Sequence, residues 1–167
     1  MNKKAKEYIQ KLQLKSHPEG GYYKEIYRAG ELILPDHLPK RYNSSRAFST
    51  SIYFLLEGNQ FSSFHRLKSD ELWHFYDGST LIIYTIDEKG ELKKIKMGKE
   101  SNEGEFFQIQ IKQNIWFGAE LHDQSSFALI GCTVAPGFEF ADFELGKRDM
   151  LFNLYPEHKN IIKKLTH

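Results

Sequence analysis

The sequence feature that most constrains the fold is a succession of short apolar and aromatic segments, each closed by a turn signal, between residues 47 and 145. Segments rich in β-branched and aromatic residues and bounded by glycine, proline, asparagine or aspartate are typical of β-strands. The pattern predicts strands at residues 47–56, 61–67, 71–77, 79–87, 91–97, 105–111, 115–121, 126–135 and 138–143. Many short strands with frequent turns favour an all-β sandwich or barrel.

Helical patterns flank these strands. Residues 3–14 place four apolar side chains at the spacing of a short amphipathic helix. A turn rich in helix breakers follows at residues 17–21, and residues 22–28 have the composition of a further strand, whereas residues 30–45 are predicted to form a loop. At the other end of the chain, a proline at the first turn predicts a closing helix over residues 156–165.

Size and charge indicate one compact domain and exclude two classes of partner. The chain has 167 residues, with 23 basic against 22 acidic side chains, and this length allows a single sufficient core. No sustained basic run indicates nucleic-acid binding, and no apolar stretch approaches the roughly 20 residues that span a bilayer. The start lacks the apolar run of a secretory signal, so we expect a cytoplasmic protein.

The single cysteine, Cys132, lies in an apolar run and is expected to be a buried, inert thiol.

Two neighbouring predicted strands carry the most informative polar residues. Side chains alternate between the two faces of a strand, so His65 belongs to one face of residues 61–67 and Glu71 to one face of residues 71–77. The tight turn between these strands allows both faces to point into the same barrel. The alternation therefore predicts that His65 and Glu71 meet inside it. His74 would point the other way unless a β-bulge redirects it.

This stretch resembles the first signature of the cupin superfamily, in which histidines, a glutamate and a glycine recur at set spacings. His65, Glu71 and Gly78 match those spacings. Leu67 stands where cupins have a second histidine, and Phe117 stands where the second cupin signature has its metal-binding histidine. The resemblance therefore implies a barrel in which two of the four usual metal ligands are replaced by apolar side chains.

A closer resemblance runs through almost the whole chain. It is carried by five ordered blocks, which are His17–Arg28, Ser51–Leu56, Phe64–Gly78, Trp116–Leu121 and Gly131–Leu145. In these blocks the chain resembles the cupin branch known as the domain of unknown function DUF985. The resemblance implies a double-stranded β-helix, the cupin jelly roll. It also implies similarity to the RmlC-like sugar epimerases and to isomerases of the cupin class.

The same resemblance implies a single cupin domain over residues 1–167. An N-terminal helix at residues 1–15 would precede the jelly roll at residues 22–145, and a helical tail would occupy residues 146–167. Such cupins are commonly dimeric, and the aromatic strand at residues 22–28 is suited to pairing with a sheet edge of a second subunit. We therefore expect a homodimer that binds a small-molecule ligand in each barrel.

Proton transfer without a metal is the chemistry that these residues match best. A histidine held by a carboxylate, with a phenol as the acid on the opposite face, can remove and return a proton beside a carbonyl. We predict His65 as the base, Glu71 as the orienting carboxylate, and Tyr53, Tyr76 or Tyr84 as the acid. The resemblance agrees, because cupin sugar epimerases use a similar pairing of histidine and tyrosine. The alternative is that His65 and Glu71 form only a hydrogen-bonded core pair.

The remaining candidate ligand-binding residues admit two interpretations. The aromatic candidates either stack on a sugar or fill the core; they are Trp73, Phe75, Trp116 and Phe117. If the segment with the paired glycines covers the barrel mouth, it places Glu19, Tyr23 and Arg28 at the entrance. Otherwise this segment forms only a turn. His74 is either a ligand-binding residue or a surface or interface residue.

A divalent metal is a further alternative. Its candidate ligands are His65, Glu71 and His74, a mixed nitrogen and oxygen set that suits zinc, manganese, iron or nickel. Because a fourth ligand is missing, we expect no cofactor. Three functions remain open: an epimerase or isomerase acting on a sugar, nucleotide-sugar or similar molecule, a non-catalytic ligand-binding module, and a metal-dependent cupin enzyme such as an oxygenase.

Overall fold

The computed structural model describes residues 2–167 and consists of two facing β-sheets with short helices at the chain ends. The strands are β1 (Lys15–Ser16), β2 (Tyr22–Arg28), β3 (Leu32–Ile33), β4 (Arg46–Ala47), β5 (Thr50–Glu57), β6 (Phe61–Leu67), β7 (Asp70–Gly78), β8 (Leu81–Ile86), β9 (Leu92–Met97), β10 (Glu105–Phe106), β11 (Gln108–Ile111), β12 (Trp116–Leu121), β13 (Phe127–Ala135) and β14 (Phe143–Leu145). The α-helices are α1 (Lys3–Leu12), α2 (Arg148–Leu154) and α3 (Lys159–Lys164).

The strand order is that of a jelly roll. One sheet has the order β1-β2-β5-β13-β7-β11, the other has the order β10-β9-β8-β12-β6-β14, and β3 pairs with β4 separately. Neighbouring strands are antiparallel, except that β9 and β10 are parallel. Some strands that are consecutive in sequence, such as β6 and β7, lie in opposite sheets, whereas others, such as β8 and β9, pair with each other. The predicted all-β jelly-roll fold with short terminal helices is therefore confirmed.

Both faces of the central strands are covered by apolar side chains. The space between the sheets is filled by a cluster that includes Phe54, Leu56, Trp73, Ile83 and Phe117. On the outer face of the first sheet, α1 covers Leu55 and Phe127. On the outer face of the second sheet, α2 and α3 cover Phe64 and Trp116. These strands therefore carry apolar residues at consecutive positions, and only one of their two faces borders the barrel interior.

The helix α1 begins and ends where local chemistry requires. The side chain of Asn2 accepts hydrogen bonds from the backbone N–H groups of Lys4 and Ala5, which caps the first turn. Gln13 adopts a left-handed conformation after the last turn and closes the helix. Tyr8 donates a hydrogen bond from its hydroxyl to Asp77 at 2.7 Å, and this bond ties the helix to β7.

The paired glycines after residue 18 carry the chain between the two sheets. Gly20 and Gly21 have φ angles of 113° and 67°, which L side chains rarely adopt. A Cβ atom on Gly20 would overlap the carbonyl oxygen of Phe61, and one on Gly21 would lie 2.6 Å from the carbonyl oxygen of Leu55. Only glycine therefore allows this close approach to β5 and β6, which directs the preceding residue, Glu19, into the barrel.

Several predicted elements differ from the observed ones. The strand predicted at residues 138–143 is wrong, because this segment forms a 3-10 helix at Phe140–Asp142 before β14 begins. The segment is held by a buried ion pair, in which Nη2 of Arg46 lies 2.6 Å from Oδ1 of Asp142. Residues 105–111 form two short strands in different sheets instead of one strand. The C-terminal tail contains α2 in addition to the predicted closing helix.

No helix within residues 2–167 combines the length and the apolar character needed to cross a membrane.

Candidate active site

One end of the barrel contains a cavity of about 280 Å³ between the two sheets. Inward-facing side chains of β2, β5, β6, β7 and β13 form its floor and walls, and the segment at residues 137–143 forms one side of its mouth. The lining combines titratable and apolar groups: His17, Glu19, Tyr23, Glu25, Arg28, Thr50, Ile52, Phe54, His65, Leu67, Glu71, Cys132, Val134, Phe138, Glu139, Phe140 and Phe143. A small apolar cavity with a few convergent polar groups is the usual form of a small-molecule site.

At the floor of the cavity, His65 is paired with Glu19. The Nε2 atom of His65 lies 3.2 Å from Oε2 of Glu19, and the residues are 2% and 5% exposed. The other carboxyl oxygen of Glu19 accepts a hydrogen bond from the Ser62 hydroxyl at 2.8 Å. The expected partner of His65, Glu71, makes no ion pair with it among the described residues. The carboxyl group in contact with His65 is therefore Glu19, which the glycine pair carries into the barrel, whereas Glu71 lies near enough for its charge to raise the pKa of His65 against the effect of burial.

The hydrogen bonds of His65 determine where its protons lie. Its Nδ1 atom is 2.7 Å from the carbonyl oxygen of Ser63, which can only accept, so Nδ1 carries a proton. Burial lowers the pKa of His65 and raises the pKa of Glu19. Both directions favour a neutral imidazole beside a protonated carboxyl group. These directions place a protonated Glu19 carboxyl group beside the unprotonated Nε2 atom of His65.

The second carboxyl group at the floor, Glu71, is buried without a complete set of partners. It is 7% exposed, and its Oε2 atom has no hydrogen-bond partner among the described residues. Burial raises the pKa of Glu71 to about 7; the proximity of Glu19 adds to the shift, whereas His65 and the neighbouring donors Trp73 and Cys132 oppose it. A carboxyl group of this pKa can exist in either protonation state at neutral pH. Glu71 is therefore the group best placed to exchange a proton with a ligand.

The structure brings a second histidine to the site. His17 lies with its Nδ1 atom 3.4 Å from Oε2 of Glu19, and its ring contacts the ring of Tyr23 edge-on at a centroid distance of 4.5 Å. Burial lowers the pKa of His17. Our sequence analysis did not select this residue, because a histidine before a proline and two glycines reads as part of a turn. Its place in the DUF985-like block that also contains Glu19 was the available signal.

The mouth is closed on one side by a group of aromatic residues that sequence analysis also missed. Phe138, Phe140 and Phe143 pack edge-on against one another with centroid distances of 5.1 to 6.4 Å. The sequence predicts a regular strand here, in which alternate residues would point away from the barrel. The 3-10 helix instead brings all three rings to the cavity.

The structure does not bring the predicted tyrosine acids to the cavity. Tyr53 and Tyr76 lie on the outer face of the first sheet, where their rings contact each other edge-on at 6.0 Å, and Tyr76 is 51% exposed. Tyr84 lies on the outer face of the second sheet and donates a hydrogen bond to Glu120. Burial and the Glu120 carboxylate raise the pKa of Tyr84 to about 12. Of the nine tyrosines, Tyr23 is the one that lines the cavity.

The candidate ligand-binding residues separate into three groups by position. Glu19, Tyr23 and Arg28 line the cavity. The core beneath the cavity contains Trp73, Phe75 and Phe117, and the Phe117 ring centroid is 4.0 Å from that of His65. The outer faces carry His74, whose Nε2 atom is 3.3 Å from the Thr133 hydroxyl, and Trp116, which packs against the C-terminal helices. Strand alternation explains the position of His74, because the register shift in β7 begins only after Phe75.

The arrangement does not fit the metal site that cupins imply. Within residues 2–167, no three or more His, Cys, Asp or Glu side chains are arranged to hold a metal ion. The candidate ligands His65, Glu71 and His74 do not converge, because His74 lies on the other face of the sheet. Cys132 borders the cavity, but burial raises the pKa of its thiol well above the usual value, which keeps it protonated.

The jelly roll and its polar-floored cavity define the chain as a cupin. A profile of the family described as "Cupin superfamily (DUF985)" matches residues 6–146. The protein therefore belongs to the DUF985 family of the cupin superfamily. A comparison with curated protein sequences gives no significant match.

Solved structures support this assignment along the whole chain. A crystal structure of a protein from Shewanella oneidensis is 38% identical, covers 98% of this chain and 97% of its own, and superposes with a TM-score of 0.89. A hypothetical protein from Leishmania major is 32% identical, with 98% coverage of both chains and a TM-score of 0.86. Oxalate decarboxylase from Bacillus subtilis is 15% identical over 90% of this chain and 36% of its own, with a TM-score of 0.54. That last likeness shows the fold alone.

Proposed function

We propose that this protein binds a small carbonyl compound in the barrel cavity and transfers a proton on it, as an epimerase or isomerase does. The observation that carries the proposal is Glu71, a buried carboxyl group of the cavity with an unpartnered oxygen and a pKa of about 7. Enzymes tune a general base in this way so that it is ready to act near neutral pH. A purely structural glutamate would instead have its oxygens satisfied.

The proposed step needs only groups that the cavity contains. The ionised carboxylate of Glu71 removes a proton from the carbon beside the carbonyl, and the electron pair moves into an enolate. In an epimerisation, the proton of Glu19 beside His65 is delivered to the other face of the same carbon. In an isomerisation it goes to the enolate oxygen, Glu71 then returns its proton to the former carbonyl carbon, and the adjacent hydroxyl gives its proton back to Glu19. The bond changes balance without an oxidant or reductant. In this scheme the pair of His65 and Glu19 acts as the acid, the role that the sequence analysis predicts for a tyrosine.

The size of the cavity supports a small substrate. Its volume of about 280 Å³ is close to the lower bound of roughly 300 Å³ for typical ligand pockets. A monosaccharide or a polyol aldehyde matches this volume better than an entire nucleotide-sugar, whose nucleotide would extend beyond the mouth. The aromatic wall formed by Phe138, Phe140 and Phe143 is suited to the apolar face of a sugar.

A non-catalytic binding module is the second candidate. The observation in its favour is that both ring nitrogens of His65 already have protein partners, Ser63 and Glu19. In such a module Glu71 would only accept a hydrogen bond from the ligand, and the ligand would leave unchanged.

Deuterium exchange tests the proposal. We would incubate the protein with a panel of aldoses and ketoses in D₂O and follow loss of the proton beside the carbonyl by NMR. The wild-type protein should catalyse exchange on at least one sugar, and Glu71→Gln should abolish it while keeping the side-chain shape. Glu144→Gln is the matched control, because Glu144 lies on β14 outside the cavity. Binding without exchange would support the module, and unchanged exchange in Glu71→Gln would overturn the role of Glu71.

A further inference from the structure

The charges around the cavity are unbalanced. Among the described residues that line it, four are glutamates, one is an arginine and none is a lysine. Glu19 and Glu71 lie at the buried floor, whereas Glu25 and Glu139 lie at the mouth, with side chains that are 39% and 45% exposed. An anionic ligand would therefore meet the carboxylates of Glu25 and Glu139 at the mouth and, above pH 7, that of Glu71 at the floor, where burial keeps Glu19 protonated.

The single arginine of the lining is already occupied by protein groups. The Nε and Nη2 atoms of Arg28 donate to the two carboxylate oxygens of Glu25 at 3.1 and 2.8 Å. Its Nη1 atom donates to Oε1 of Glu139 at 2.7 Å, and Nη2 also donates to the carbonyl oxygen of Phe138 at 3.1 Å. With one guanidinium between two carboxylates, this mouth group keeps a net negative charge. A ligand carboxylate or phosphate would have to displace these contacts to reach Arg28.

The wall between the mouth and the floor is aromatic. Its rings belong to Tyr23, Phe54, Phe138, Phe140 and Phe143. The faces of aromatic rings attract cations, and a cation between such rings and a carboxylate gains from both contacts. The floor adds the unpartnered Oε2 atom of Glu71, which needs a hydrogen-bond donor from a ligand.

We propose that the cavity is selective for a small cationic amine, a compound of monosaccharide size that carries a protonated amino group, and that it rejects anions of the same shape. The inference rests on the proposed function and names the substrate class of that site. The ammonium group would lie at the mouth, against the aromatic wall and beside the group formed by Glu25, Arg28 and Glu139. The reacting end would reach Glu71 at the floor.

Shape-matched probes test the charge preference. We would titrate the wild-type protein near pH 8 and at low ionic strength with cyclohexylamine, cyclohexanol and cyclohexanecarboxylate, and with glucosamine, glucose and glucuronate, following binding by NMR. The amine of at least one series should bind about threefold or more tighter than the alcohol of that series, as expected for one cation–π contact near an exposed carboxylate. The carboxylate of that series should bind more weakly than the alcohol.

Two substitutions at the mouth should change the preference for the amine in opposite directions. Glu139→Gln removes one acidic group and releases Nη1 of Arg28, so it should reduce the preference for the amine by about two- to fivefold. Arg28→Gln leaves Glu25 and Glu139 without a cation and should increase that preference. Glu144→Gln is the control, because this exposed glutamate pairs with Arg66 outside the cavity.

The outcomes separate this inference from the proposed function. Glu71→Gln should abolish proton exchange on any accepted sugar but keep the preference for the amine, because the ammonium group is placed at the mouth. Equal binding within each series, a preference for the carboxylates, or no binding of any probe would overturn the amine selectivity. None of these results would bear on deuterium exchange, which Glu71 and the pair of His65 and Glu19 would still be expected to catalyse.

Discussion

His65 and Glu19 form a buried pair in which Nε2 lies 3.2 Å from Oε2, although Glu19 lies in a turn outside both sheets and the two residues are distant in the sequence. Glu19 precedes the first sheet's β2, and His65 lies on β6 of the second sheet. The pair is completed by Ser62 and Ser63. The site therefore depends on how closely the chain at the glycine pair approaches β6.

The His65 and Glu19 pair predicts different costs for two substitutions of the same residue. Glu19→Ala leaves Nε2 of His65 and the Ser62 hydroxyl without their partner in a buried place, so it should lower the free energy of unfolding by about 1–3 kcal/mol. Glu19→Gln keeps an oxygen and a donor near both groups and should cost less. Urea denaturation of both variants at one pH checks this, and equal costs would contradict a pair held by hydrogen bonds.

Glu71 predicts a pH-dependent stability. Its pKa rises from the ordinary 4.5 to about 7 in the folded state, so the folded protein keeps a proton that the unfolded chain releases as the pH rises from about 4.5 to 7. Stability contributed by the protonated group is therefore present below pH 4.5 and lost above pH 7. Glu71→Gln imitates the protonated form, and relative to the wild type it should gain up to about 3 kcal/mol between pH 4.5 and pH 8. Denaturation curves at the two ends of this range measure the gain, and Glu144→Gln, a substitution outside the cavity, is the control.

The geometry of the glycine pair predicts that position 20 accepts only glycine. Gly20→Ala should destabilise the fold by more than about 2 kcal/mol, because the residue has a φ of 113° and the new methyl group would overlap the Phe61 carbonyl oxygen. Gly30→Ala is the matched control, since no atom lies within 4 Å of the position of its Cβ. Thermal unfolding of both variants tests the prediction. A Gly20→Ala protein as stable as the control would mean that the chain passes β6 at a greater distance.

Breaking the ion pair of Arg46 and Asp142 should lower the stability of the fold and weaken ligand binding at the mouth. Both side chains are almost fully buried, so Asp142→Ala leaves a guanidinium without its carboxylate and should cost about 3–5 kcal/mol. The loss should also weaken ligand binding, because Asp142 holds the segment that carries Phe140 and Phe143. Breaking the exposed pair of Arg66 and Glu144 should cost less than about 1 kcal/mol. Similar costs for the two pairs would contradict the prediction.

The free edge of β2 predicts a homodimer. The strand β1 pairs only with Tyr22 and Tyr23, and beyond them Ile26 and Tyr27 are about half exposed. An apolar strand edge of this kind favours pairing with a second copy. We expect the full chain to be a dimer at micromolar concentration by light scattering, and the double substitution Ile26→Lys and Tyr27→Lys to shift it to monomer. Leu154→Lys changes an equally exposed leucine on α2 and should leave the dimer intact, whereas a monomeric wild-type chain would overturn the proposal.

Strand alternation was a good guide where a tight turn links two strands and fixes their relative faces. His65 and Glu71 could be assigned to the barrel interior because residues two apart share a face and the turn between β6 and β7 points both faces inward. On β5, both Tyr53 and Phe54 are hydrophobic, since the outer face is covered by α1 and the inner face by the core. The pattern therefore did not distinguish the two faces, and Tyr53 was assigned to the wrong one.

The amino-acid sequence by itself determined the all-β fold, the terminal helices, the family, and the positions of His65 and Glu71 on inward faces, because each follows from local periodicity or from ordered motifs. Only the tertiary structure decided that Glu19 and His17 join His65, and that the 3-10 helix turns three phenylalanines toward the mouth. These contacts join distant segments across a close backbone approach. Their geometry depends on the packing of the two sheets, which no local pattern in the sequence describes.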